Sequence, residues 1–317
     1  MPLGEKKLIE RIRLAARHGA SVVTGIGDDC AVLSVPAGHQ LLVTTDFSIE
    51  GVHFRRDWHR AELVGRRCLT RGLSDIAAMG GEPRAAFLSL AVATEIPQKW
   101  VDRFLEGLLA LAAECKVPLA GGDTAQSASG IQADIVVVGS VPKGKAILRA
   151  GAKPGEQIYV TGELGGAAAA LARLRESKPL GRGYVRKLRP QARLGVGQWL
   201  RRQSMASAMI DLSDGLSTDL EHICQQSRVG AEIEAEAVPR AQVEAGTSRV
   251  ARALALHGGD DYELLFTSSK AVPTKVAGVP VTRIGRITKA AGMRLIAADG
   301  TRQSLRAGGW EHFKGDP

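Results

Sequence analysis

Strand-length apolar runs alternate with helix-length segments along both halves of this 317-residue chain. In the first half, a helix over 5–18 precedes the strands "HQLLVTTDF", "RAAFLSLAVA" and "IQADIVVVGSV", which are separated by helices over 60–79 and 97–115. The second half predicts helices at 165–176 and 216–228, a helical basic stretch up to 204, and strands near 157–161, 207–212, 231–236, 262–267, 281–287 and 292–297. The alternation predicts an α/β fold with mixed sheets.

A domain boundary is predicted near residues 148–155. The segment "AGAKPGEQIYVTG" places glycine, proline and a turn directly before a new strand. A chain of this length is long for one compact core and sufficient for two. We therefore expect an N-terminal α/β domain over 1–150 and a C-terminal α/β domain over 151–317.

Composition narrows the class of protein. The 42 Lys and Arg exceed the 33 Asp and Glu, giving a formal charge of +9, but the basic residues are scattered and have no aromatic-interleaved stripe. This favours a solvated surface and anionic small substrates such as nucleotides over nucleic acid, with a nucleic-acid binder as the alternative.

No apolar run is long enough to span a membrane, and the first residues lack the apolar core of a secretory signal. Four cysteines without a C-x-x-C pair predict reduced thiols and a cytoplasmic location: Cys30, Cys68, Cys115 and Cys224.

Aspartates recur at the predicted ends of apolar strands, each beside Gly, Ser or Thr. Taken singly, such an aspartate is more often a turn former or a helix cap, and Asp214 is also placed to cap the helix near Leu216. Strand ends on one edge of an open sheet converge on a crevice, and convergent carboxylates require cations. Oxygen donors without a Cys/His cluster favour Mg²⁺, which bridges to phosphates. The aspartates are Asp28, Asp29, Asp46, Asp75, Asp123, Asp211, Asp214, Asp260 and Asp261.

The segment "TGELGGAAAA" at 161–170 has two interpretations. Its glycines lead into an Ala-rich helix whose amino end can bind an anion, or they serve close packing of helix on strand. The segment "GSVPKGKA" at 139–146 is not a Walker loop, because Ala146 lacks the hydroxyl that would meet Mg²⁺.

Assembled in order, the motifs resemble the thiamine-monophosphate kinase family over nearly the whole chain. They are "GIGDDCAVL", "TTDFSIEGVHF", "LSDIAAMGGEPRAAFLSLAV", "GGDT", "RAGAKPGEQIYVTGELG", "IDLSDGLSTDL", "GGDDYELLF" and "WEHF". The family shares a superfamily with aminoimidazole ribonucleotide synthetase and selenophosphate synthetase. The resemblance implies a two-domain subunit of the aminoimidazole ribonucleotide synthetase-like type and a homodimer formed through the N-terminal domain sheets.

The resemblance also implies an activity, transfer of the γ-phosphoryl of ATP to thiamine monophosphate with several Mg²⁺ ions. The alternative within the superfamily is another ATP-dependent enzyme acting on a different phosphorylated or carboxylated small molecule. A non-catalytic, metal-dependent scaffold would require lost ligands, and none of the matched aspartates is missing.

The resemblance also implies roles for individual residues, namely those that stand at the matching positions of the family's motifs. No general base is implied, and Arg149 is expected to stabilise charge. Asp260 stands where the family usually has Glu, and His53 is either a phosphate contact or a structural residue of the "GVHF" turn. The implied metal ligands are Asp29, Thr44, Thr45, Asp46, Asp75, Asp123, Asp211 and Asp214; the ATP contacts are Gly122, Asp123, Arg149 and Ser213; the thiamine contacts are His53, Asp260 and Trp310.

Overall fold

The computed structural model describes residues 3–16, 19–26, 30–244 and 249–313. The chain divides into an N-terminal unit, Met1–Ile76 with Gly81–Lys145, and a C-terminal unit, Ala77–Gly80 with Ala146–Pro317. Both units contain helices and a mixed sheet, which confirms the predicted α/β class with mixed sheets. Asp28 and Asp29 lie outside the described residues. Within the described ranges, no helix is long and apolar enough to cross a membrane.

The first 145 residues build a four-stranded sheet of order β3-β6-β4-β5. Strand β6 pairs antiparallel with β3 and β4, and β5 pairs parallel with β4. The elements are α1 (Glu5–Ala15), β1 (Val22–Thr24), β2 (Val32–Leu33), β3 (His39–Ile49), α2 (Ala61–Ala78), β4 (Glu82–Val92), α3 (Gln98–Cys115), β5 (Leu119–Gln126) and β6 (Ile131–Pro142).

Helices α2 and α3 are in backbone contact at two glycines. A Cβ atom on Gly65 would lie 1.9 Å from the carbonyl oxygen of Phe104, and one on Gly107 would lie 1.9 Å from that of Glu62. No larger residue fits either position without separating the helices. Phe104 is fully buried, and burial of a side chain of this size contributes about 1.5–3 kcal/mol. The contact fixes α2, the helix that carries Asp75.

The second unit is built on an eight-stranded sheet. Its order is β14-β13-β9-β12-β7-β10-β8, with β11 paired to β12. All its pairs are antiparallel except β13 with β9. The elements are β7 (Gln157–Thr161), α4 (Gly166–Arg175), α5 (Arg182–Lys187), α6 (Leu194–Arg202), β8 (Ala208–Asp211), α7 (Leu216–Ser227), β9 (Gly230–Glu234), α8 (Arg252–His257), β10 (Leu264–Ser268), β11 (Lys275–Val276), β12 (Val279–Thr288), β13 (Gly292–Ile296) and β14 (Arg302–Leu305).

The central strands of this sheet are buried on both faces. Alternate side chains of a strand point to opposite sides, so Ile158 and Ile210 enter one apolar cluster while Tyr159 and Phe266 enter another. The rings of Tyr159 and Phe266 stack at a centroid distance of 5.3 Å. Burial on both faces explains why these strands read as continuous apolar runs in the sequence.

The predicted basic helical stretch is in fact two helices, α5 and α6. Pro190 lies between them, and proline removes a backbone donor and disfavours helical geometry at the residue before it. The sequence prediction missed the short helix α8 and the strands β1, β2, β5, β11 and β14. All of these except β5 have six residues or fewer and are too short to show a clear periodicity.

Candidate functional site

The expectation that the aspartates lie at strand ends is wrong for three of them. Asp46 lies inside β3 and Asp123 inside β5, while Asp75 lies near the end of helix α2. Strand β3 continues past Asp46 to Ile49 because it pairs with β6 along its whole length. Of the predicted metal ligands that the structure describes, only Asp211 is the last residue of a strand.

In the N-terminal unit, β3 and α2 bring three of the predicted ligands together. The hydroxyl of Thr44 donates a hydrogen bond to Oδ2 of Asp75. One turn earlier on α2, Arg71 lies 3.5 Å from Oδ1 of Asp46. Thr44 and Asp46 are two residues apart on β3, so both point to the face covered by α2.

Two other predicted ligands of this unit lie elsewhere. Thr45 points to the opposite face of β3, where its hydroxyl donates to Asp134 over 2.7 Å. Asp123 lies on β5, which β6 and β4 separate from β3. Its carboxylate accepts a 2.8 Å hydrogen bond from the amide of Thr124. The described residues therefore show one ligand group on β3 and α2, and a separate carboxylate on β5.

Asp123 lines a cavity of about 710 Å³ in the N-terminal unit. Gly122 and Thr124 line it from the same strand, and Leu88 and Leu119 supply apolar surface. This volume lies within the usual range of small-molecule sites, which combine apolar walls with a few polar groups.

His53 lies in the turn after β3. Its Nδ1 atom accepts a 3.0 Å hydrogen bond from the backbone amide of Ile49. This contact fits the structural interpretation of the "GVHF" turn.

The C-terminal unit contains an acidic cluster at the start of α7. Single ligand atoms of Asp214, Asp219 and His222 lie within 4.8 Å of one another. Burial, with further contributions from the charges of Asp211 and Asp214, raises the pKa of Asp219 to about 8. A divalent cation would relieve this repulsion, and a donor set rich in carboxylate oxygen suits Mg²⁺.

Asp214 does not cap α7, although its position in the sequence allows that interpretation. The N-cap position of the helix is taken by Gly215, which has no side chain to act as a cap. The Asp219 carboxylate instead accepts hydrogen bonds from the amides of Asp214 and Gly215, at 3.2 and 3.0 Å. Gly215, and not Asp214, therefore occupies the N-cap position.

Asp260 is held beside this cluster by backbone pairing. Its amide donates a 2.8 Å hydrogen bond to the carbonyl of Ser213, and the amide of Tyr262 donates to Leu212 over the same distance. The predicted ATP contact Ser213 and the predicted thiamine contact Asp260 are thus neighbours in one loop pair.

The neighbouring residue Asp261 explains the glycine-rich segment before α4. Its Oδ2 atom accepts a 2.7 Å hydrogen bond from the amide of Gly165. Burial raises the pKa of Asp261 to about 7. The amino end of α4 is therefore occupied by a carboxyl group of the protein itself. The second interpretation, close packing at these glycines, also fits, because a Cβ atom on Gly165 would lie 2.7 Å from the Ala255 amide nitrogen.

The remaining predicted contacts are exposed. Arg149 lies in the loop before β7, where its carbonyl accepts a 3.1 Å hydrogen bond from the Ser227 hydroxyl. Trp310 is 44% exposed, and its amide donates to the carbonyl of Asp214 over 3.1 Å. Trp310 and the acidic cluster are thereby joined within the C-terminal unit.

Sequence reasoning missed Asp219, His222 and Tyr262. Asp219 and Tyr262 lie inside motifs that were already singled out, and His222 lies two residues beyond one, but all three follow the strand-end position that the pattern emphasised. Helical spacing from Leu216 would have placed Asp219 and His222 three residues apart, on the same side of α7. A second cavity, of about 790 Å³ beside α7 and β14, contains none of the predicted site residues.

Comparison with known proteins gives a consistent result. Residues 27–141 match the AIR synthase related protein, N-terminal domain, and residues 153–297 match the corresponding C-terminal domain. The thiamine-monophosphate kinase of Salmonella typhimurium is 39% identical over 99% of both chains. The crystal structure of thiamine-monophosphate kinase from Stenotrophomonas maltophilia K279a is 37% identical, with a TM-score of 0.80 over 96% of this chain and 99% of that one.

A second solved structure, AaThiL complexed with AMPPCP and TMP, is 31% identical over 99% of both chains, with a TM-score of 0.76. These matches extend over both units, as does the series of motifs found in the sequence. The chain belongs to the thiamine-monophosphate kinase family.

Proposed function

We propose that this protein transfers the γ-phosphoryl group of ATP to thiamine monophosphate, forming thiamine diphosphate and ADP. The observation that carries the proposal is the relation to AaThiL complexed with AMPPCP and TMP, which extends over 99% of this chain. Kinase relatives of nearly equal length support the same activity. AMPPCP is an ATP analogue, so that complex places both substrate classes on a protein of this fold.

The reaction needs no general base from the protein. A phosphate monoester has a second pKa near 6, so the acceptor oxygen of thiamine monophosphate is mostly ionised at neutral pH. This oxygen forms a bond to the γ-phosphorus while the bond from that phosphorus to the β–γ bridging oxygen breaks, and ADP leaves. Catalysis then rests on positioning and charge neutralisation, to which the exposed guanidinium of Arg149 would contribute.

For ATP, we assign Gly122, Asp123, Arg149 and Ser213. The cavity of about 710 Å³ supports the first two, since both residues line it and its walls are otherwise largely apolar. An adenine ring fits apolar walls, and the polar strand residues are available for the phosphates.

Mg²⁺ suits the acidic groups of both units. In the C-terminal unit, Asp211 and Asp214 raise the pKa of Asp219, and this mutual repulsion supports a cation there. When bound, Mg²⁺ would neutralise phosphate charge and hold the phosphates in position for in-line transfer. In the N-terminal unit the residues that would hold it are Thr44, Asp46, Asp75 and Asp123, together with Asp29, which lies outside the described residues; Thr45, also predicted as a ligand, faces the other side of β3. In the C-terminal unit they are Asp211, Asp214 and Asp219.

For thiamine monophosphate, we assign Trp310, Asp260 and His53. The thiazolium ring is cationic, and a tryptophan face attracts a cation by about 0.5–2 kcal/mol. Trp310 is exposed enough to offer its ring. The carboxylate of Asp260 complements the same positive charge or binds the aminopyrimidine.

We also propose that two copies pair through the N-terminal sheet. Leu41, Val43 and Phe47 are each more than half exposed and lie on the same face of β3, opposite to α2. An apolar strand face of this kind is characteristic of protein interfaces. A second copy of this chain is the occupant that we assign to it.

The test is product formation from thiamine monophosphate, ATP and Mg²⁺, with free thiamine and an EDTA-treated sample as controls. Thiamine diphosphate formed from the monophosphate alone, and abolished by EDTA, is the expected result. A folded protein that binds ATP with Mg²⁺ but forms no product would overturn the assigned acceptor. Activity in the presence of EDTA would overturn the metal requirement.

A further inference from the structure

The segment that carries Trp310 is attached by three consecutive backbone amides to the first turn of α7 and to the loop before it. Gly308 donates to Ser217 Oγ over 3.2 Å, and Gly309 donates to Thr218 Oγ1 over 3.1 Å. Trp310 donates to the carbonyl of Asp214 over 3.1 Å. We call residues 308–310 the terminal latch.

The latch lies directly on the backbone of the acidic loop. A Cβ on Gly309 would lie 2.0 Å from the Asp214 carbonyl oxygen and 2.7 Å from Thr218 Oγ1. Only glycine permits this approach. The contact therefore restricts where the next residue, Trp310, can place its ring.

The hydroxyls of Ser217 and Thr218 have hydrogen-bond partners that are unusual for residues in the first turn of a helix. Ser and Thr near a helix start commonly bond to backbone groups of their own helix. Ser217 and Thr218 instead accept hydrogen bonds from residues 91 positions further along the chain. Ordinary helix capping accounts for neither contact.

Ser217 also connects the latch to the loop of Asp260. Its Oγ lies 2.8 Å from Nδ1 of His257, the last residue of α8, and residues 258–260 follow directly. The Asp260 amide in turn donates to Ser213. Three segments that bear proposed site residues are therefore joined around the first turn of α7.

We propose that Ser217 and Thr218 are positioning residues, which hold the Trp310 ring where it meets the thiamine part of the acceptor and couple that position to the acidic loop. Neither hydroxyl need touch substrate. The inference rests on the proposed function for its substrate and on the hydrogen bonds above for its geometry.

The variant that tests it is Thr218→Val, which keeps the branched shape but removes the acceptor. Loss of one such hydrogen bond should raise KM for thiamine monophosphate about fivefold, with KM for ATP unchanged and kcat within about twofold. Thr218→Ser restores an acceptor and should restore KM. Thr288→Val removes a hydroxyl that bonds to Ala290 in an exposed turn and is the matched control.

A double-mutant comparison separates positioning from a general loss of structure. If Thr218 acts through Trp310, then Thr218→Val should change KM no further in a Trp310→Ala background, because the ring it positions is gone. Additive effects on KM, or an unchanged KM in the single variant, would overturn the proposal. Gly309→Ala disturbs the latch from its other side, with every residue of α7 kept, and should also raise KM.

Amide hydrogen exchange tests the latch independently of activity. A peptide containing residues 308–310 should exchange faster in Thr218→Val and in Gly309→Ala than in the wild type, with the Thr288→Val control unchanged. Equal exchange rates would overturn the latch even if the kinase is active. Faster exchange in a protein that does not phosphorylate thiamine monophosphate would instead refute the proposed substrate and retain the latch.

Discussion

The hydroxyl of Tyr262 donates a 2.9 Å hydrogen bond to Oδ1 of Asp260, two residues earlier in the chain. Both residues have left-handed backbone, with φ of +69° at Asp260 and +52° at Tyr262. Such conformations cost about 1–3 kcal/mol each and persist only where the surroundings enforce them. The Tyr262 ring is fully buried, so it fixes the direction of a carboxylate that we assign to the substrate.

Tyr262→Phe should therefore weaken acceptor binding more than it weakens the fold. Without the hydroxyl, the Asp260 carboxylate loses one of the contacts that orient it, and we expect KM for thiamine monophosphate to rise about fivefold with KM for ATP unchanged. Steady-state kinetics with each substrate varied would measure this. Tyr184→Phe, on a residue that stacks with Arg173, is the control. An unaltered KM would remove Tyr262 from the site.

Asp211→Asn should reduce turnover by at least about a hundredfold, because it removes a negative charge from the proposed metal site. The fold should survive, since the change also removes a charge that contributes to the raised pKa of Asp219. The measurement is kcat over a Mg²⁺ titration, together with the thermal midpoint. Asp299→Asn, in an exposed turn, is the control and should be fully active. Near-normal turnover in Asp211→Asn would refute the metal assignment.

Asp261 should make stability depend on pH. Burial raises its pKa from 3.8 to about 7, so between these values the native state holds the proton more tightly than the unfolded state. The unfolding free energy therefore falls as pH rises through this window, by at most about 4 kcal/mol.

Asp261→Asn retains an oxygen acceptor for the Gly165 amide but cannot ionise. Its stability relative to the wild type should accordingly increase from about pH 5 to about pH 8. Thermal unfolding of both proteins at the two pH values measures the difference. A gap that does not change with pH would show that this carboxyl is not perturbed.

The ion pair of Arg193 and Glu263 should be structurally important in the C-terminal unit. Arg193 Nε donates to Glu263 over 2.7 Å, and the Thr161 hydroxyl donates to the same carboxylate over 2.5 Å. Arg193→Met leaves a buried charge without its partner, which typically costs about 3–5 kcal/mol. Adding Glu263→Gln should restore most of the lost thermal stability. No recovery in the double variant would show that the arginine acts mainly through packing.

Val43→Asp should convert the proposed dimer to a monomer. It places a charge in the exposed apolar face of β3, where desolvation on pairing would be costly. Light scattering should report one chain of 33.5 kDa for the variant and twice that mass for the wild type. Val185→Asp, at an exposed position on α5, should leave the mass unchanged. A monomeric wild type would contradict the interface outright.

The α/β class and most element positions were predictable because they depend on local patterns. Helix α3 was expected at 97–115 and is observed at Gln98–Cys115, since Pro97 and the periodic apolar residues define it within the chain. The placement of Asp46 was not predictable in the same way. Whether β3 stops before or continues beyond that residue depends on its pairing with β6, some 90 residues away in sequence.

The acidic cluster was also only partly predictable, because part of it depends on how the chain folds rather than on a local pattern. Asp211 and Asp214 were found because they follow an apolar strand. Asp219 was not, because its proximity to them arises only when the chain turns into α7. The function of the segment 308–310 depends on contacts across 91 residues, which no local pattern reveals.

Strand β3 supplies two surfaces from consecutive residues. Thr44 and Asp46 face α2 and its carboxylate, while Val43, Thr45 and Phe47 face the open side of the sheet. A slip of one residue in the pairing with β6 would exchange the two sets completely. Inserting or deleting a single residue here would therefore abolish the ligand group and the apolar face together. Substitutions, by contrast, alter one surface at a time, so in this strand chain length is constrained more tightly than residue identity.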